Sequence, residues 1–79
     1  MTGEPAAARV TVTMNGEPVE VPGDGTLADL IDVRIAASRG STRGIAAAVD
    51  GTVVPRAAWP VTILRDRQSV EVLTAVQGG

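Results

Sequence analysis

From Arg9 the chain alternates, with Val10, Val12 and Met14 on one face of an extended segment and Thr11 and Thr13 on the other. That is the period of a half-buried strand. Asn15-Gly16 follows, a pair suited to the positive backbone angles of a tight hairpin, and Val19 and Val21 then resume the alternation with Glu20 outward. The first unit is therefore a hairpin. Pro22-Gly23-Asp24-Gly25 ends it, and Thr26 with Asp29 three residues on has the spacing of a helix capping box. Leu27, Leu30, Ile31 and Ile35 recur at helical spacing, while Asp29 and Asp32 stand early, where the helix dipole favours negative charge. The pattern predicts a helix that stops near Arg39 or Gly40, since Ser38 to Gly44 is rich in glycine, serine and threonine.

A second hairpin is predicted from Ile45 to Val54 around Asp50-Gly51, with Pro55 as its stop. Arg56 to Arg67 reads as an irregular crossover pinned by the buried side chains of Val61, Ile63 and Leu64, with Trp59 packed there. Ser69 to Val76 returns to strand character through Val70, Val72, Leu73 and Val76. Hairpin, helix, hairpin, crossover and final strand describe an α+β, β-grasp layout: a mixed sheet of four or five strands with one main helix on one face. A crossover over the helix lets the last strand run parallel to the first, in the middle of the sheet. Residues 1–8 read as a flexible leader, 9–76 as the domain and 77–79 as a flexible tail.

Composition narrows the chemistry. A chain of 79 residues has room for one small core, and with no cysteine it has neither a disulfide nor thiolate metal ligands. All seven basic residues are arginine, and lysine and histidine are absent, which removes Schiff-base lysines, a P-loop lysine and the usual general bases and nucleophiles. Gly40 and Gly44 bracket Ser41, Thr42 and Arg43 without phosphate-loop spacing. Asp24, Asp29 and Asp32 lack the spacing of calcium ligands, and capping accounts for Asp29. Nine acidic residues against seven scattered arginines offer no stripe for nucleic acid. No apolar run approaches the ~20 residues that span a bilayer, and the first residues have no secretory pattern, so a cytoplasmic protein without membrane contact is expected. Internal catalytic groups are therefore scarce, and the chain ends in Gly78-Gly79.

Three segments resemble the ThiS family of sulfur carriers: Met14-Asn15-Gly16-Glu17-Pro18 with Val19 to Pro22; Ala48 to Arg56 with Trp59; and Val70-Glu71-Val72-Leu73-Thr74-Ala75-Val76-Gln77-Gly78-Gly79. The family's turn before the last strand usually contains glycine and acidic residues, where this chain has Arg65-Asp66-Arg67-Gln68-Ser69. The resemblance implies a non-enzymatic carrier whose Gly79 carboxylate is adenylated by a ThiF-like partner using ATP and Mg. It is then converted to a thiocarboxylate with sulfur from other proteins, and gives that sulfur to a ThiG-like thiazole synthase. On this reading Thr74, Ala75, Val76, Gln77 and Gly78 form the tail that partners bind, no cofactor or metal is held by the chain itself, and the free protein is a monomer.

Two glycines suit a tail that must enter a narrow channel, since they bring no side chain and reach backbone angles closed to other residues. Related alternatives are the small subunit of molybdopterin synthase, against which the absence of phenylalanine speaks, and a carrier for cysteine synthesis; a plain interaction domain is the alternative from another class. The lack of lysine and cysteine could protect an activated terminus from self-capture, but an arginine- and alanine-rich composition explains it more simply. Arg56, Arg65 and Arg67 read first as solvated charge and second as partners for acidic groups on an activating enzyme.

Overall fold

In the computed structural model, which describes residues 8–36, 40 and 42–74, the alternation seen in the sequence becomes five strands. They are β1 (Arg9–Met14), β2 (Glu17–Pro22), β3 (Ile45–Val49), β4 (Thr52–Val54) and β5 (Ser69–Thr74), in the sheet order β2-β1-β5-β3-β4. β5 runs parallel to β1 and antiparallel to β3, so the last strand is central, as the crossover argument requires. Both hairpin turns carry positive φ at their two central residues, 52° and 88° at Asn15-Gly16 and 51° and 85° at Asp50-Gly51. These are the angles that match the twist of the flanking strands.

One face of the sheet is the core. Val12, Val19, Val21, Ile45, Ala47, Val49, Val70 and Val72 are buried there, against Leu27, Leu30 and Ile31 of helix α1 (Leu27–Ile31). The capping box is present in full: the Asp29 N–H donates to Thr26 Oγ1 at 3.2 Å and the Thr26 N–H donates to Asp29 Oδ2 at 3.0 Å. Removing the cap by Thr26→Ala is expected to cost ~0.5–2 kcal/mol, read from urea or thermal unfolding.

The helix is shorter than its spacing predicted. After Ile31 the backbone widens into a π turn over Asp32–Ala36, so Asp32 stands at the C-cap of α1 rather than in its opening turn. Ile35 remains half-buried against the core, while Val33 turns outward. The predicted end near Arg39 lies outside the described residues; Gly40 donates its N–H to the Ala36 carbonyl at 2.6 Å.

The crossover is more regular, and less buried, than expected. Arg56–Val61 forms a 3-10 helix, and beyond it Thr26 and Ile63 make an isolated bridge flanked by Leu27 N–H to Thr62 O at 2.9 Å and Leu64 N–H to Gly25 O at 3.0 Å. This extended segment alternates, so Leu64 enters the core while Ile63 is 44% exposed; Val61, on the outer side of the 3-10 turn, is 76% exposed. Only Leu64 of the three apolar pins is buried, together with Trp59. The Trp59 indole N–H donates to the Val54 carbonyl at 2.9 Å, satisfying an acceptor at the β4 end of the sheet.

Both edges are closed to further pairing. β4 is three residues long and is followed by Pro55. On β2 the Gly23 N–H points inward to Ala8 O at 2.7 Å, so residues of the other parity face out, and two of those three are Pro18 and Pro22. Prolines have no N–H to offer an added strand.

Candidate functional site

Because the last strand leads to the candidate tail, the site is built by whatever fixes β5. At its start two carboxylates bracket it. Asp66 Oδ1 accepts the Thr11 N–H at 2.8 Å on the β1 side, and Asp50 Oδ1 accepts the Ser69 N–H at 2.8 Å on the β3 side. The turn itself has Arg67 at φ 73°, a left-handed angle held by a residue other than glycine, with its N–H donated to Thr11 O at 2.7 Å and the Gln68 side chain accepting the Arg65 N–H at 2.7 Å. Side-chain hydrogen bonds and β1 thus hold a conformation that a glycine would reach unaided.

Farther along, the β1 amides dock on β5 in sequence, Thr13 N–H to Gln68 O and Asn15 N–H to Val70 O, both at 2.9 Å. Then β1 turns away at Asn15-Gly16. Val72 still meets a partner on that side: its N–H donates to Asn15 Oδ1 at 2.8 Å, and Asn15 Nδ2 donates to its carbonyl at 3.1 Å. Ala47 of β3 is its neighbour on the other side. Thr74 closes the strand, exposed and opposite Ile45. Of the residues predicted to form the tail, Thr74 is described as this last strand residue, whereas Ala75, Val76, Gln77, Gly78 and Gly79 lie outside the described residues.

Arg56 reaches the same end of the sheet. Its guanidinium donates to Thr42 Oγ1 at 2.6 Å and Thr42 O at 2.7 Å and stacks 4.9 Å from the Trp59 ring centroid, while the Ile45 N–H donates to Thr42 O at 3.3 Å. Arg65 and Arg67 precede the start of β5 and so stand at the opposite end of that strand, ~17 Å from Thr74 at ~3.3 Å per residue. The three arginines are not one cluster. On the sheet face away from α1, Ala46 pairs with Leu73 and Ala48 with both Glu71 and Val53, which leaves an apolar patch beside the strand's exit; Leu73 is 70% and Val53 73% exposed. Sequence reasoning missed the Asn15 contact, because locally Asn15-Gly16 signals a turn and nothing more.

A mixed five-stranded sheet of this order, with its main helix on one face and the last strand at its centre, defines a β-grasp protein. The ThiS family model matches residues 12–79, and the chain belongs to that family. A solved structure similar to it is the thiamine biosynthesis protein ThiS from Geobacter metallireducens, 27% identical, with a TM-score of 0.65 over 89% of this chain and 100% of that one. No curated protein sequence matches significantly. The family is one of small sulfur carriers of thiamin biosynthesis, not of enzymes. Among the described residues no helix is long and apolar enough to cross a membrane.

Proposed function

We propose that this chain carries sulfur as a thiocarboxylate on Gly79 for thiazole formation, in the cytoplasm. The observation that supports this most is that the family match runs through Gly79, five residues beyond the end of β5. An ionised carboxylate is a poor electrophile, so its carbon must first acquire a leaving group. Attack of the Gly79 carboxylate on the α-phosphorus of ATP gives the acyl adenylate and pyrophosphate. Hydrosulfide displaces AMP to leave the thiocarboxylate directly; a protein persulfide displaces AMP to give an acyl disulfide, whose S–S bond a thiol then cleaves, releasing the thiocarboxylate and leaving a disulfide on the donor side. The ATP and Mg belong to a ThiF-like activating partner, and the finished thiocarboxylate is the sulfur source for a ThiG-like synthase. Sulfur-donating proteins supply the step between. On this reading Thr74, Ala75, Val76, Gln77 and Gly78 are the segment that partners bind, and the apolar patch around Leu73 and Val53 is the surface on which they seat the domain.

Intact mass spectrometry of the protein taken from thiamin-starved cells tests the proposal. A species in which one sulfur replaces one oxygen at the C-terminal residue is expected. A homogeneous unmodified mass under starvation sinks the reading, and the same sulfur-bearing species in cells starved for molybdopterin alone would move the carrier to that pathway.

A further inference from the structure

We infer that Asn15 is a positioning residue for the reactive tail: its carboxamide stands in for a peptide unit of β1 and extends the parallel β1–β5 hydrogen bonding two residues beyond Val70, to Val72. This rests on the carrier reading above. The amides of Thr13 and Asn15 donate in turn to Gln68 O and Val70 O, a regular parallel progression. Its continuation needs an acceptor for the Val72 N–H and a donor for the Val72 carbonyl. An unbroken β1 would supply the carbonyl of residue 15 and the amide of residue 17. The hairpin removes both, because the chain reverses at Asn15-Gly16. Asn15 Oδ1 and Nδ2 take those places, at 2.8 and 3.1 Å, with the same acceptor and donor chemistry as a peptide group. Few side chains meet both demands of the site. The residue must hold φ at 52° and must offer a donor and an acceptor at short reach, and asparagine does both.

The location gives this contact its functional weight. Val72 is the last described residue of β5 held on both sides, by Asn15 and by β3; at Thr74 the described pairing is with Ile45 of β3. Among the described residues Val72 is thus the last point before Gly79 at which β5 is held from the β1 side, while pairing with β3 continues to Thr74. Partner enzymes must bring the Gly79 carboxylate to an ATP phosphorus, and the cost of doing so rises with the range of directions the tail explores. Loosening the strand at Val72 lowers the fraction of docked complexes with the carboxylate in place. It does not alter the docking face.

The test compares wild type, Asn15→Gly and Asn15→Asp in full-length protein. Glycine keeps the positive φ and removes the carboxamide; aspartate keeps an acceptor for the Val72 N–H and loses the donor for its carbonyl. Amide hydrogen exchange is expected to show Val72 losing about tenfold in protection in Asn15→Gly while Val70 keeps its own. In ATP-dependent adenylation by the cognate activating enzyme, kcat is expected to fall about tenfold with KM within about twofold, and Asn15→Asp to lie between. A purely structural role behaves differently: an unfolded fraction raises apparent KM and leaves saturated kcat unchanged. Unchanged Val72 protection, unchanged kinetics, or a loss confined to KM overturns the assignment of Asn15 while wild-type turnover preserves the carrier reading. Wild-type protein that the enzyme does not adenylate overturns the carrier reading, and this inference with it.

Discussion

Gly79→Ala is expected to fold as wild type does and to form the terminal thiocarboxylate at least ~100-fold more slowly. The substitution adds one methyl group at a position five residues beyond the end of β5 and outside the core cluster, whose last member in the chain is Val72. Changes of that kind alter stability by less than ~0.5 kcal/mol. Its effect falls on the reaction. In the proposed adenylation the carboxylate approaches the ATP α-phosphorus along a defined line, and a misplacement of ~1 Å is enough to cost ~100-fold in rate. The added Cβ also narrows the backbone angles that glycine reaches freely. Pyrophosphate release with the cognate activating enzyme, alongside thermal unfolding of the same sample, measures both halves. Efficient adenylation of the variant would contradict the proposal that Gly79 is threaded through a closely fitted channel.

The largest effect on stability is expected from Leu27→Ala. Leu27 is fully buried, and it sits where helix, sheet and crossover meet: its own N–H donates to Thr62 O, and the Thr26–Ile63 bridge is adjacent. Truncating a buried leucine costs ~2–5 kcal/mol, a lost transfer term plus the cavity left behind. A value of ~3 kcal/mol lowers Tm by roughly 12–24 °C in a domain of this size. Total stability of small domains is ~5–15 kcal/mol, so a loss of this size removes roughly a fifth to more than half of it. Val33→Ala is the matched control. Val33 is 70% exposed, and its truncation is expected to change stability by less than ~0.5 kcal/mol. Equal effects of the two would contradict the core assignment.

What could be read from the sequence was what depends on neighbours along the chain. Alternating valines report a strand because side chains in extended backbone point to opposite faces, and β1, β2 and β5 follow that rule, with Val12, Val19, Val21, Val70 and Val72 inward. Asn15-Gly16 and Asp50-Gly51 mark turns because their backbone tolerates positive φ, and Thr26 with Asp29 marks a cap because three residues is the reach of a first helical turn. Arginine as the only basic residue type, with no cysteine, removes lysine, histidine and thiol chemistry from the chain, and that is legible from composition alone.

Tertiary structure decided the rest, wherever a residue's role depends on a segment distant in sequence. The spacing of Leu27 to Ile35 predicts one continuous α-helix, yet the backbone opens into a π turn after Ile31, and no local signal in Asp32–Ala36 announces it. Val61 and Ile63 are as apolar as Leu64, but only Leu64 lies on the side of the Thr26–Ile63 bridge that faces the core. Arg67 holds a left-handed angle because β1, Asp66 and Gln68 fasten the turn around it. Asn15 is the sharpest instance. By itself it is a turn residue; beside a parallel β5 that outlasts β1, the same carboxamide faces an unpaired peptide edge 57 positions away. Local propensity is indifferent to that edge. Only the fold brings it within hydrogen-bonding reach, two residues before the end of β5.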